Sequence, residues 1–140
     1  MALLTRKGLL AIAAVIDVAL HGKGRPVSAK ALAARHSLPA RHLEPVLQAL
    51  VRMGILRGIR GPRGGYELAR ERRRITADDI LRAASTIEEA GDPPATGSAL
   101  LNDVVVPAIG QAERAFSVAL SRISLDELVR KAEPLRDATT

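Results

Sequence analysis

The 140-residue chain contains no cysteine and no tryptophan, and its aromatic side chains are one tyrosine and one phenylalanine. Without cysteine there is no disulfide, no thiolate zinc site and no thiolate-held iron–sulfur cluster. With so few aromatics, Ala, Leu, Val and Ile must do the packing within an apolar fraction of 47%. That favours close-packed helices over a sheet sandwich. His21, His36 and His42 have no matching nucleophile constellation, so catalysis is not expected. The Gly-rich stretch from Gly58 to Gly65 is followed by no Lys-Ser/Thr and opens no helix, which removes a nucleotide phosphate loop.

A long apolar run is also missing. Gly8–Leu20 follows Arg6-Lys7 as a signal peptide would, but Asp17 interrupts it and His21-Gly22-Lys23 makes no small-residue cleavage site. The run is too short to span a bilayer. The expectation is a buried helix of a cytoplasmic protein.

What the chain does have is positive charge, unevenly placed. The formal net charge is +6, yet residues 1–75 carry +11 and residues 76–140 carry −5. A basic N-terminal half points to a polyanion, and double-stranded nucleic acid is the default partner.

Capping residues and periodicity divide the chain. Thr5 starts a helix to about Leu20, with Leu9, Ile12, Ala13, Ile16, Ala19 and Leu20 as its apolar stripe. Leu10, Ala14, Val15 and Val18 make the other side apolar too, which suggests cover from a second subunit. Ser28 caps Ala29–His36; Ser37-Leu38-Pro39 turns the chain; a helix follows from about Ala40 to Met53. Helix, tight turn, helix is the helix-turn-helix pattern, whose second helix enters the major groove. Ile55–Ile59 and Tyr66–Ala69, joined by a Gly/Pro turn, read as a hairpin with Arg60 and Arg63 at its tip and Arg70, Arg72, Arg73 and Arg74 just beyond. A basic hairpin in that place is a wing. Thr76 caps Ala77–Ala84, with Asp78 and Asp79 in the first turn. Ser98 caps a helix of about 25 residues to Arg122 that Pro107 should kink or restart. Ser124 starts a last short helix to about Ala132. The predicted fold is mainly α with a small β-hairpin wing: a DNA-binding unit over 1–84, a loop over 85–97, a dimerisation segment over 98–132 and a frayed tail over 133–140.

Leu4-Thr5-Arg6-Lys7-Gly8, Val15-Ile16-Asp17-Val18-Ala19-Leu20, Pro26-Val27-Ser28, Leu43-Glu44, Arg60-Gly61-Pro62-Arg63-Gly64-Gly65-Tyr66, Ile75-Thr76 and Ile123-Ser124-Leu125-Asp126-Glu127-Leu128 together resemble the IscR/NsrR/CymR family of winged-helix regulators, the Rrf2 family. The resemblance covers nearly the whole chain and fails mainly over 85–122. It implies a homodimer on a pseudo-palindromic operator, with the long helix crossing its partner's copy. Several members hold an iron–sulfur cluster through three cysteines between the Thr76 helix and the long helix. The corresponding Ser85–Val106 has neither Cys nor His, so that property does not carry over. Glu88, Glu89 and Asp92 have hard-cation chemistry, but a solvated acidic loop is the simpler account, and no metal or cofactor is expected.

On DNA, phosphate neutralisation by Arg and Lys is expected to supply affinity. Thr5, Arg6 and Lys7 begin a helix whose free N–H groups can grip a phosphate, and Ser28, Lys30, Arg52, Arg57 and Arg63 are further contacts to the DNA backbone. Arg41 can donate two bonds to guanine and Glu44 can accept from cytosine. The resemblance adds Pro45 as a base-reading position, where a polar residue of several relatives is replaced. It also gives His42 a packing role, since relatives often carry an aromatic there. Arg60 suits minor-groove insertion, and Gly61, Gly64 and Gly65 suit a turn that approaches the backbone. Val105, Ile109, Ala112, Phe116, Leu120 and Ile123, with Ile12 and Ile16, are the dimerisation candidates. Two regulatory readings remain open: an unknown small-molecule effector between the dimerisation helices and the DNA-binding unit, which an apolar pocket near Phe116 would support, or no effector at all and control by the protein's own concentration. Also open is an interaction module that regulates through protein partners instead of promoters.

Overall fold

The computed structural model describes residues 5–87 and 98–139. Glu88, Glu89 and Asp92, with most of the expected loop, lie outside the described residues. Helices α1 (Arg6–His21), α2 (Ala29–Arg35) and α3 (Ala40–Arg52) precede an antiparallel hairpin of β1 (Leu56–Ile59) and β2 (Gly65–Leu68). A 3₁₀ turn at Arg72–Arg74 leads to α4 (Ala77–Ser85). A π-helical turn at Leu101–Val105 then leads to α5 (Val106–Ser121) and α6 (Leu125–Thr139).

Five of the helix starts obey side-chain capping, and α3 is the exception. Thr5, Ser28, Thr76, Ser98 and Ser124 each accept a bond from the backbone N–H three residues on, at 2.9–3.1 Å. Thr76 also receives the reciprocal bond, its N–H donating to Asp79 Oδ2 at 3.0 Å. Between α2 and α3, Ser37 takes φ +53 and Leu38 N–H donates to Ala33 O at 3.0 Å, which reverses the chain within three residues.

Leu43, Val46, Leu47 and Leu50 of α3 pack with Leu32, Ile55, Leu56, Ile75 and Ile80 around α1. The buried face of α1 is not the expected stripe, with which it shares only Leu20. Gly8, Ala11, Ala14, Val15, Val18 and Leu20 are buried, whereas Leu9 is 54% exposed and Ile12 and Ile16 are half-buried. Small side chains decide this, because they let α4 approach closely. A Cβ on Gly8 would sit 2.7 Å from Leu81 Cδ2.

The wing is broader than a lone hairpin. Val27 and Tyr66 exchange two backbone bonds at 2.8 Å, so the segment before α2 extends the sheet. Gly65 is required at that contact, since a Cβ there would meet the Val27 carbonyl.

The C-terminal half meets expectation at Pro107 and departs from it in the last helix. Pro107 marks a restart, as expected: α5 begins at Val106 with the proline in its first turn, within a stretch that is helical from 99 to 121. The π-helical turn just before the proline, with Val106 N–H bonded to Leu101 O, accommodates the residue that has no donor. The last helix does not stop near Ala132 or fray at Pro134; α6 runs through the proline to Thr139. Nor does it side with the long helix: Leu125 and Val129 are fully buried in the core with α1. Ile75–Ala77 holds its start, through Leu125 N–H to Ile75 O at 2.7 Å and Ala77 N–H to Ile123 O at 2.9 Å. The same chain therefore supplies part of the cover for α1 that the sequence assigns to a second subunit. Among the described residues no helix is long and apolar enough to cross a membrane.

Candidate nucleic-acid interface

Helix α3 presents two faces. Leu43, Val46, Leu47, Ala49 and Leu50 are buried, and Arg41, His42, Glu44, Pro45, Gln48 and Arg52 are exposed. Arg41, Glu44, Pro45, Gln48 and Arg52 recur every three or four residues and line one open recess. Pro39 at the N-cap makes no side-chain capping bond, so the first amides of α3 keep their capacity for an acceptor from outside. Pro45 interrupts the ladder inside the helix without breaking it. His42 corrects the packing expectation: it is exposed, because α3 turns Leu43 rather than its neighbour inward.

The wing tip carries Arg60, Gly61, Pro62 and Arg63, all exposed. Gly61 has φ +116, and a Cβ on Gly64 would collide with the Ile59 carbonyl, so both glycines are needed to close the tip. A second recess lies between the tip and the start of α2, lined by Arg25, Ser28, Ala31, Arg63 and Gly64 among others. The Ser28 hydroxyl accepts from Ala31 N–H and keeps its own proton for a further acceptor. Thr5 does the same at the start of α1, beside exposed Arg6 and half-buried Lys7.

The ion pairs divide the cations. Arg57, on the wing shaft, bonds Glu67 across the hairpin at 2.8 Å. Arg70 bonds the Gly54 carbonyl and lies 3.8 Å from Asp79; Arg72 bonds Asp126 of α6 at 2.7 Å; Arg82 bonds Asp78 at 2.9 Å. These four stabilise the fold or tie its parts together. By contrast Arg6, Lys30, Arg41, Arg52, Arg60 and Arg63 hold no ion pair or side-chain hydrogen bond with any described residue. Cations without internal partners are the ones available to phosphate.

Sequence reasoning missed three participants. Gln48 shares the α3 stripe at i+4 from Glu44, and helical spacing alone could have found it. Arg25 lines the wing recess only because the chain folds back at Val27. Asp17, taken as an interruption of an apolar run, is 7% exposed and anchors α1 to α2 through Arg35 and His36.

The dimerisation candidates separate along α5. Val105, Ile109 and Ala112 are exposed, with Leu100, Val104 and Val106 beside them. Phe116, Leu120 and Ile123 are half-buried, and Phe116 and Leu120 face α4. Ile16 lies next to α6 in a recess shared with Ala132 and Leu135.

Comparison with known proteins places this arrangement. The Rrf2 family model, described as "Iron-dependent Transcriptional regulator", matches residues 4–131. An HTH-type transcriptional regulator of Synechocystis sp., slr0846, is 37% identical over 129 residues, covering 89% of this chain and 86% of its own. IscR of Xenorhabdus nematophila is 32% identical over 142 residues, covering 94% and 82%. Among solved structures, T. potens IscR superposes with a TM-score of 0.71 at 28% identity, covering 95% of this chain and 90% of that one. CymR of B. subtilis superposes with a TM-score of 0.68 at 25% identity, covering 94% and 98%.

The iron in the family's description does not fit these residues. The sequence has no cysteine, and among the described residues no group of three or more His, Asp or Glu side chains is placed to hold a metal ion.

Proposed function

Because the chain belongs to the Rrf2 family of transcriptional regulators, and is therefore a DNA-binding regulator rather than an enzyme, we propose that it works in the cytoplasm as a homodimeric repressor on a pseudo-palindromic operator, without an iron–sulfur cluster. The observation that carries this reading is the division of the cations: those on the α3 stripe and at the wing tip are free of carboxylates, while Arg57, Arg70, Arg72 and Arg82 are bound to the fold.

In this reading α3 lies in the major groove. Arg41 donates to guanine, Glu44 accepts from cytosine, and Gln48 has the donor–acceptor pair that adenine requires. Pro45 offers only an apolar contact, so the operator differs from that of relatives with a polar residue there. Arg60 enters the minor groove. Thr5, Arg6, Lys7, Ser28, Lys30, Arg52 and Arg63 fix the register on phosphates, with Gly61, Gly64 and Gly65 shaping the wing; Arg57 reaches phosphate only by giving up Glu67. The exposed apolar residues of the first half of α5, Val105, Ile109 and Ala112, meet a second copy. Phe116 and Leu120 brace α5 against α4 behind that face, and Ile123, Ile12 and Ile16 are assigned to the dimer beyond it.

A gel-shift titration against the gene's own upstream region tests the proposal. The expected result is a shifted complex containing two chains per duplex that weakens steeply with salt. An absent or salt-insensitive shift would instead favour a module acting through protein partners.

A further inference from the structure

Between α4 and α5 lies a cavity of about 400 Å³. One edge is closed by a latch. Ser117 Oγ donates to Asp78 Oδ1 at 2.5 Å, Arg82 Nε bonds Asp78 Oδ2 at 2.9 Å, and Arg82 Nη2 reaches Ser117 Oγ at 3.4 Å. Both oxygens of Asp78 are thereby engaged and its charge is matched. Two further charged groups line the cavity: Glu113 and Arg114, adjacent on α5, neither with an ion pair or hydrogen bond to a described residue. The apolar part of the wall comes from Leu81, Phe116 and Leu120.

The lining thus sums to zero charge, with one carboxylate and one guanidinium unpaired beside an apolar wall. We propose that this cavity binds a small zwitterion with an apolar tail, the chemistry of an apolar α-amino acid. Its carboxylate pairs with Arg114 and its ammonium with Glu113, and its side chain covers Phe116 and the two leucines. A net anion or cation would satisfy one of the two groups and face the other as a like charge. A wholly apolar molecule would cover both without a partner.

The position gives binding a consequence. α4 packs on α1 and on α3, the reading helix, while α5 carries the face proposed to meet a second copy. An occupant touching both helices biases the angle between reading head and dimer. This regulatory step rests on the DNA-binding homodimer proposed above; ligand binding itself does not.

Calorimetric titration of the full chain, free of DNA, with L-leucine at two temperatures is the test. Saturable binding of one molecule per chain is expected, with 4-methylpentanoate, which lacks the ammonium, and 3-methylbutylamine, which lacks the carboxylate, each weaker by about tenfold or more. Glu113→Gln and Arg114→Gln should each weaken leucine binding about tenfold at unchanged melting temperature, since neither side chain holds a partner in the fold. No leucine binding, equal affinity for the three molecules, or undiminished binding by both variants would overturn the site. In a second arm, leucine should change operator affinity of the wild type and not of Arg114→Gln; an unchanged affinity would overturn the regulatory step. A chain that binds leucine and no duplex at all would sink the DNA-binding reading while confirming the cavity.

Discussion

The carboxylate of Asp17 on α1 is gripped by the guanidinium of Arg35 at the end of α2, with Nη2 2.6 Å from Oδ1 and Nε 2.9 Å from Oδ2. His36 Nε2 stands 3.1 Å from the same Oδ2. Asp17 is 7% exposed and Arg35 30%, so this pair operates in a partly dry setting. It fixes the first helix of the helix-turn-helix against the central helix. Asp17→Ala should lower stability by about 2 kcal/mol, below the full cost of breaking a buried pair because Arg35 can still reach water. Urea denaturation checks it; a loss under about 0.5 kcal/mol would mean that the pair stabilises nothing net.

The turn between α2 and α3 yields a prediction of opposite sign. Ser37 occupies the left-handed position at φ +53, where a β-carbon is disfavoured. Ser37→Gly should stabilise the chain by about 0.5 kcal/mol, the relieved strain exceeding the extra freedom of the unfolded glycine. Thermal unfolding that shifts downward would contradict this.

Much of the architecture was legible because it is local. Thr5, Ser28, Thr76, Ser98 and Ser124 announce their helices three residues ahead, and the five cap bonds are where that spacing puts them. The wing followed from Gly61, Gly64 and Gly65. What depended on distant partners was not legible. α1 is apolar on every side, so periodicity could not tell that the Gly8–Ala11–Ala14 face goes inward. The tie of Arg72 to Asp126 joins residues far apart in sequence, and it turns an arginine counted with the basic wing into a clasp for α6. Pro134 misled because one lost backbone bond does not end a helix already anchored by Leu125 and Val129.

The candidate site divides in the same manner. Arg57 and Arg60 look alike in sequence, three residues apart on one hairpin, yet Arg57 is held by Glu67 and Arg60 is free. Arg60→Ala should weaken operator binding by about tenfold or more, with dimer mass and melting temperature unchanged. Arg57→Ala should cost affinity less and remove a weak surface pair. Equal affinity loss for both variants would show that the cross-strand pair does not decide which arginine meets DNA.

Glu44 tests base reading. Glu44→Ala removes an acceptor from cytosine and also a negative charge from a surface facing phosphates. Total binding to arbitrary duplex should stay level or rise, while discrimination at one base pair falls by about 1–3 kcal/mol. Competition with scrambled operators reports both quantities. Equal loss on every sequence would place Glu44 in the fold and not in readout.

Of all measurements, fluorescence anisotropy of a labelled upstream duplex across a salt series bears most directly on the division of the cations. Seven side chains per chain, Arg6, Lys7, Lys30, Arg41, Arg52, Arg60 and Arg63, are assigned to DNA, and two chains present them. If about six of these meet phosphate, affinity should fall roughly a thousand-fold between about 50 and 200 mM monovalent salt. A monomer that ignores duplex at the lowest salt, or a complex indifferent to salt across that range, would contradict the account.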